Sequence, residues 1–147
     1  MERRSASAVQ TRAIGASLAA VLQPGDVVSL SGDLGAGKTV FVQGACEALG
    51  VRARVQSPSF VLVREYVGDR TRVVHADAYR LGSLQELIDL GYEDLFAPDA
   101  ILFIEWGDAV DALLPGDRFE VWIAGQDDQE RTITLTGPGA RLEAMSA

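Results

Sequence analysis

The chain has 147 residues, of which 48% are hydrophobic and 23% charged, so it is suited to one folded domain and not to a disordered state. Its 21 acidic residues outnumber the 13 basic ones and give a net charge of −8. This charge disfavours independent nucleic-acid binding, because that affinity depends on neutralising phosphates. The single cysteine, Cys46, excludes an internal disulfide and a cysteine-based zinc site, and we expect it to be a small buried residue.

The first predicted element is an amphipathic helix over residues 13–22 that ends at Pro24-Gly25. Four apolar residues recur at helical spacing: Ile14, Leu18, Val21 and Leu22. No convincing cleavage site follows this stretch, so it does not indicate a signal peptide. No apolar run reaches about 18 residues, so we expect a cytoplasmic protein without a membrane span.

The following elements alternate in the manner of an α/β domain. A buried strand is predicted over residues 26–31 and a helix over 39–49. Further strands are predicted at 60–66, 72–79, 100–104, 118–124 and 131–136, the first two as a hairpin, with short helices at 83–91 and 108–114. We therefore expect one domain over residues 1–147, with a mixed central sheet flanked by helices and a flexible tail over 138–147.

A phosphate-binding loop is predicted between the strand at 26–31 and the helix at 39–49. The pattern G-x-x-x-x-G-K-[ST] is matched by Gly32, Asp33, Leu34, Gly35, Ala36, Gly37, Lys38 and Thr39. Glycines let successive backbone N–H groups point at phosphate oxygens, and the helix directs its positive end at the same charge. Lys38 is the only lysine of the chain, placed to reach the β- and γ-phosphates, and the Thr39 hydroxyl is a ligand for Mg²⁺. ATP is favoured over GTP, because a chain without asparagine lacks the Asn-Lys-x-Asp signature of GTPases.

Two acidic residues are candidates for the magnesium site. Glu105 follows four apolar residues at 101–104, the Walker B pattern in which an acid ends a buried strand. Asp77 shares one face of a predicted strand with His75 and Tyr79, but a half-exposed structural strand explains this alternation equally well. We interpret His75, the only histidine, as structural. The Ser-Pro-Ser-Phe segment at 57–60 could close on a γ-phosphate or merely begin a strand.

Four motifs occur in a fixed order along the chain. They are Gly-Asp-Leu-Gly-Ala-Gly-Lys-Thr at 32–39, Ser-Pro-Ser-Phe at 57–60, His-Ala-Asp-Ala-Tyr-Arg-Leu at 75–81 and Ile-Glu-Trp-Gly-Asp at 104–108. Together they resemble the TsaE family, also called YjeE, over residues 10–137. The resemblance implies a P-loop NTPase-like fold and a small bacterial ATPase required to make threonylcarbamoyladenosine next to the anticodon of tRNA. It implies action through the TsaB–TsaD heterodimer, after TsaC has made the activated threonylcarbamoyl-adenylate, with tRNA contacted only indirectly.

The resemblance also assigns residues to a site for ATP and Mg²⁺. Lys38, Asp77 and Glu105 would be the catalytic residues, and Thr39 would hold the metal together with the two acids. The nucleotide would be bound by Asp33, Leu34, Gly35, Ala36, Gly37, Lys38, Thr39, Val40, Ser59 and Trp106. Ser59 stands where the family usually has threonine, so the hydroxyl is kept.

Two other functions share these motifs. A small-molecule phosphotransferase would use the same loop, with Asp77 as a general base toward a bound hydroxyl. A nucleotide-dependent binding module would use ATP only to switch an interface. We favour an ATPase over the phosphotransferase because no lid helix carrying several arginines is predicted. We expect it to be slow alone, since no complete set of catalytic groups is evident.

Overall fold

The chain folds into a mixed sheet with helices packed against it. The computed structural model describes residues 1–33, 37–56, 63–78, 89, 95–106, 111–125 and 130–145. Its strands are β1 (Glu2–Ser5), β2 (Val27–Gly32), β3 (Val63–Val67), β4 (Arg72–Asp77), β5 (Ala100–Glu105), β6 (Phe119–Gly125) and β7 (Arg131–Thr136). The α-helices that lie wholly within the described residues are α1 (Ala8–Ala19), α2 (Lys38–Ala48) and α3 (Gly139–Glu143), and residues 111–113 form a 3₁₀ turn. None of them is long and apolar enough to cross a membrane.

The strand order places the ends of three parallel strands side by side. The order is β1-β7-β6-β2-β5-β4-β3, with β6, β2, β5 and β4 parallel and the outer pairs antiparallel. The carboxyl ends of parallel strands share one edge, which is where open α/β sheets bind ligands. Gly32, Asp77 and Glu105 end β2, β4 and β5 at this edge. The predicted mixed α/β architecture is confirmed.

Helices α1 and α2 pack on one face of the sheet and approach each other through two glycines. A Cβ on Gly15 would lie 2.2 Å from the Phe41 carbonyl oxygen, and one on Gly44 would lie 2.1 Å from that of Arg12. No real Cβ tolerates such distances, so the two backbones meet where only glycine fits. This contact fixes the direction of α2, whose first turn follows the phosphate loop.

Helix α1 begins and ends earlier than the predicted range of 13–22, which is wrong at both ends. The Ser7 hydroxyl accepts a hydrogen bond from the Gln10 N–H at 3.2 Å, and the Gln10 side chain accepts one from the Ala6 N–H at 2.6 Å. Ser-x-x-Gln is the spacing of a capping box, a start signal that apolar periodicity does not reveal. At the other end, the Val21 N–H bonds to the Leu18 carbonyl at 3.0 Å, which closes the helix in a tight turn.

The other predicted helices and strands of the described residues begin and end within a few residues of the predicted positions. Strands β2, β5, β6 and β7 and helix α2 differ from the predicted bounds by one residue or less. The predicted hairpin is present, because β3 and β4 are antiparallel, with Val63 opposite Ala76 and Val67 opposite Arg72. The predicted helix at 83–91 lies outside the described residues except at position 89, and so does the 108–110 part of the helix predicted at 108–114.

The amino-terminal strand β1 is not predicted from the sequence. Its residues Glu-Arg-Arg-Ser show no apolar alternation, yet they pair with β7 from Glu2 opposite Thr134 to Ser5 opposite Arg131. Charged side chains are common on edge strands, where they discourage pairing with other chains. The hydropathy of residues 2–5 does not indicate a strand, and β1 is evident only from its pairing with β7.

We expect a flexible tail over residues 138–147, but the structure shows an ordered segment that packs on the core as far as residue 145. Residues 139–143 form α3, and Leu142 and Met145 belong to the core cluster that also contains Leu18 of α1 and Phe119 of β6. The Arg141 guanidinium forms an ion pair with Asp26, including a contact of 2.9 Å from Nη1 to Oδ1, and it also donates to the Val21 carbonyl. The tail is therefore attached to the core as far as residue 145.

Cys46 lies on the buried face of α2 and is fully inaccessible to solvent. Burial raises the pKa of its thiol from 9.0 to about 12, because the thiolate would lose its hydration. The thiol therefore stays protonated at neutral pH, and the expected role of Cys46 as a small buried residue is confirmed.

Candidate nucleotide site

The amino-terminal end of α2 lies at the sheet edge where β2, β4 and β5 end. Gly37 caps the helix with a φ of +104°, a conformation that glycine adopts without strain. It has no side chain to cap the first turn, whose N–H groups have no partner within the helix. Lys38, Thr39 and Val40 form this turn. A helix terminus of this kind binds phosphate through its N–H groups and its positive dipole end.

Lys38 is held across the beginning of the loop. Its side chain is almost buried, with 5% of the residue surface exposed. The Nζ atom donates to the Asp33 carbonyl at 2.8 Å and to the Gly32 carbonyl at 3.4 Å, and it lies 4.1 Å from the centre of the Trp106 ring. The ammonium is thus bonded to neutral acceptors, which a phosphate oxygen would outcompete because a charge-assisted hydrogen bond is stronger.

Trp106 is positioned by a strained backbone. Its φ is +60°, and it is the only non-glycine residue of the described part of the chain with a positive φ. Its N–H donates to the Leu30 carbonyl of β2 at 2.7 Å. Backbone strain of this kind persists where surrounding contacts impose it, and it clusters at functional sites. The bond to β2 fixes the backbone of Trp106 directly after β5, and the ring lies over the Lys38 ammonium.

Only glycine fits at the first position of the loop, because the backbone there lies directly against β6. Gly32 has a φ of +134°, and a Cβ there would lie 1.9 Å from the Ile123 carbonyl oxygen. The next residue, Asp33, bonds through its N–H to the same carbonyl at 3.3 Å, while its carboxylate accepts from the Gly125 N–H at 3.4 Å. Asp33 therefore anchors the loop to β6 and offers its carbonyl to Lys38.

Thr39 and Glu105 are in direct contact although 66 residues separate them in the sequence. The Thr39 hydroxyl donates to the Glu105 carboxylate, at 2.9 Å to Oε2 and 3.2 Å to Oε1. Glu105 is 5% exposed, so its carboxylate is largely removed from water. A hydroxyl and a carboxylate at one place are the oxygen ligands that Mg²⁺ prefers.

Two further polar residues of β4 surround Glu105. Asp77 lies opposite Glu105 in the parallel register, is buried, and is followed by Ala78, whose N–H donates to the Glu105 carbonyl at 2.9 Å. His75 is fully buried, and its Nε2 lies 2.5 Å from Oε2 of Glu105. The contact between His75 and Glu105 is not predicted from the sequence, although the alternation along β4 places His75 on the face of Asp77.

The described residues suit a magnesium ion bound together with phosphate. They contain no group of three or more His, Cys, Asp and Glu side chains arranged to hold a metal alone. Mg²⁺ bound with nucleotide does not need such a cage, since it takes one or two protein ligands and completes its shell with phosphate oxygens and water. The Thr39 and Glu105 pair fits this requirement. The predicted nucleotide contacts Leu34, Gly35, Ala36 and Ser59 lie outside the described residues.

Residues 5–133 match the model of the family described as "Threonylcarbamoyl adenosine biosynthesis protein TsaE". The chain belongs to the TsaE family. It is 38% identical to a protein of Bacillus subtilis (strain 168) over 97% of this chain and 89% of the relative. It is 43% identical to a protein of Streptomyces coelicolor over 88% of this chain and 92% of the relative. Both are named "tRNA threonylcarbamoyladenosine biosynthesis protein TsaE".

The fold is also that of a solved TsaE-family structure. The crystal structure of YdiB from Bacillus subtilis superimposes with a TM-score of 0.80 at 35% sequence identity, covering 97% of this chain and 88% of that one. The resemblance of the four motifs to the TsaE family and the predicted P-loop NTPase-like fold are both confirmed.

Proposed function

We propose that this chain binds and hydrolyses ATP in the biosynthesis of threonylcarbamoyladenosine in tRNA. Its family membership supports the pathway, since the relatives are named for that biosynthesis. The contact between Thr39 and Glu105 beside Lys38 supports the chemistry. A hydroxyl at the end of the loop and an acid from a parallel strand meet there, which are the two groups that P-loop enzymes use to hold Mg²⁺.

Each residue of the site has a separate task in this proposal. Lys38 binds the β- and γ-phosphates, and the first turn of α2 donates its N–H groups to them. Thr39 and Glu105 would hold Mg²⁺, and the bound ion would supply positive charge beside the phosphates. Asp77, which lies beside Glu105 in the register, would order the water around the metal.

We further propose that the TsaB–TsaD heterodimer is the partner and that it raises the rate of hydrolysis. Phosphoryl transfer is often accelerated by a cation that a second protein inserts beside the phosphates. At this edge of the sheet the described residues place two carboxylates, those of Asp77 and Glu105, and the ammonium of Lys38, which is bonded to the carbonyls of Gly32 and Asp33. A net charge of −8 also favours contact with tRNA through partners and not directly.

Phosphate release from ATP tests this function. We expect the purified chain to be slow alone and at least about 10-fold faster with TsaB and TsaD, because a complementary cation is worth several orders of magnitude in related reactions. The matched variants are Thr39→Ser, which keeps the hydroxyl and should keep most of the stimulation, and Thr39→Val, which has the same shape without a hydroxyl and should lose it.

The same assay separates the alternatives. A rate unchanged by TsaB and TsaD, with phosphorylation of an added hydroxyl compound, would replace the ATPase by a phosphotransferase. ATP-dependent binding to TsaB–TsaD without phosphate release would leave only a nucleotide-switched binding module.

A further inference from the structure

His75 is a buried polar residue that the proposed function does not use. His75 has no exposed surface, and its Nε2 lies 2.5 Å from Oε2 of Glu105. Its other ring nitrogen, Nδ1, is buried and has no hydrogen-bond partner among the described residues. Burying a nitrogen without a partner is unfavourable. If His75 only filled space in the core, an apolar ring would be more stable at this position. Phe103, the register neighbour of His75 on β5, is such a ring.

The hydrogen bonds of Glu105 show what His75 contributes. Oε2 accepts from Thr39 at 2.9 Å and contacts Nε2 of His75, whereas Oε1 has a longer contact of 3.2 Å with Thr39. When the Glu105 carboxylate is ionised it only accepts hydrogen bonds, and the ring then donates its Nε2–H to Oε2. If the Thr39 hydroxyl turns to a metal ion, Glu105 loses its bond from Thr39 and keeps the bond from His75.

We propose that His75 is a positioning residue that orients the Glu105 carboxylate and thereby sets the affinity of the nucleotide site for Mg²⁺. The inference rests on the proposed function, since it requires that Glu105 takes part in binding the metal. His75 contacts neither nucleotide nor metal in this role. Groups that hydrogen-bond to a metal ligand in this way typically change metal affinity about 10- to 100-fold.

Three substitutions of His75 separate the effect of its hydrogen-bond donor from the effect of its ring. His75→Gln places an amide nitrogen at about the reach of Nε2 and keeps the donor. His75→Asn carries the same amide on a side chain one methylene shorter, so it does not reach Oε2. His75→Phe keeps a ring of similar shape and removes both nitrogens. His75→Asn and His75→Phe both remove the hydrogen bond to Glu105 but differ in shape. If one of them does not fold, the other still tests the loss of this bond.

The measurement is the binding of a non-hydrolysable ATP analogue by titration calorimetry, first in EDTA and then at increasing Mg²⁺, with thermal unfolding of each variant. We expect all folded variants to bind the analogue in EDTA within about 3-fold of the unaltered chain. His75→Asn and His75→Phe should need at least about 10-fold more Mg²⁺ for half-maximal tightening, and His75→Gln should stay within about 3-fold.

Other results overturn the inference. A folded His75→Phe or His75→Asn variant with an unaltered Mg²⁺ requirement excludes positioning, and so does a folded His75→Gln variant that is as impaired as the other two. Equal losses in EDTA and in Mg²⁺ would show that His75 only supports packing. Binding to the unaltered chain that does not respond to Mg²⁺ would instead contradict the proposed magnesium site itself.

Discussion

Replacing Lys38 by alanine or methionine is expected to weaken ATP binding by at least about 100-fold, or about 2.7 kcal/mol. The ammonium lies at the start of the loop, bonded to the carbonyls of Gly32 and Asp33, and each bond that it makes to a charged phosphate is worth about 1.5–3 kcal/mol. Titration calorimetry with ATP and Mg²⁺ measures the loss.

The two Lys38 variants distinguish charge from packing. Lys38→Met keeps a long apolar stem against the Trp106 ring, which the Lys38 ammonium faces at 4.1 Å, whereas Lys38→Ala removes the stem as well. We expect both to lose binding to a similar extent while their unfolding temperatures stay close to that of the unaltered chain. A Lys38→Met variant that binds ATP within about 3-fold of the unaltered chain would show that the charge of Lys38 does not hold the phosphates.

Gly44→Ala is expected to destabilise the protein by about 2 kcal/mol or more. Alanine normally improves a helix by about 1 kcal/mol over glycine, but here its Cβ would lie 2.1 Å from the Arg12 carbonyl oxygen. Helices α1 and α2 must separate to admit the methyl group, and overpacking of this kind costs about 1–3 kcal/mol, occasionally more. Urea or thermal denaturation measures the change, which corresponds to roughly 6 °C or more in a chain of this size.

The matched control is Gly139→Ala in α3. A Cβ at Gly139 would meet no atom within 4 Å, so the same chemical change should be neutral or slightly stabilising through helix propensity. Equal effects at both glycines, or a stabilised Gly44→Ala variant, would contradict the close backbone contact between α1 and α2.

The features that could be predicted from the sequence are those encoded by adjacent residues. The loop from Gly32 to Thr39 follows a fixed spacing, and Glu105 directly follows a continuous apolar strand. Because such patterns are local, the sequence predicts the position of α2 to within a residue and the end of β5 at Glu105. The overall α/β architecture follows from the order of these elements.

The features that could not be predicted depend on which elements become neighbours. Alternation places His75 and Asp77 on one face of β4, but it does not reveal that β5 lies between β4 and β2. That strand order brings Glu105 within reach of both His75 and Thr39. The same limit applies to β1, whose polar residues are a strand only because β7 offers them an edge.

Formation of threonylcarbamoyladenosine on tRNA over many turnovers tests the proposed role most directly. The reaction contains tRNA, ATP, TsaB, TsaD and threonylcarbamoyl-adenylate made by TsaC, with and without this chain, and the Lys38→Ala variant is the control. We expect the modified nucleoside to exceed the amount of TsaB–TsaD only when the unaltered chain is present. The same yield without the chain, or with Lys38→Ala in its place, would contradict a role for ATP bound at this site in the modification.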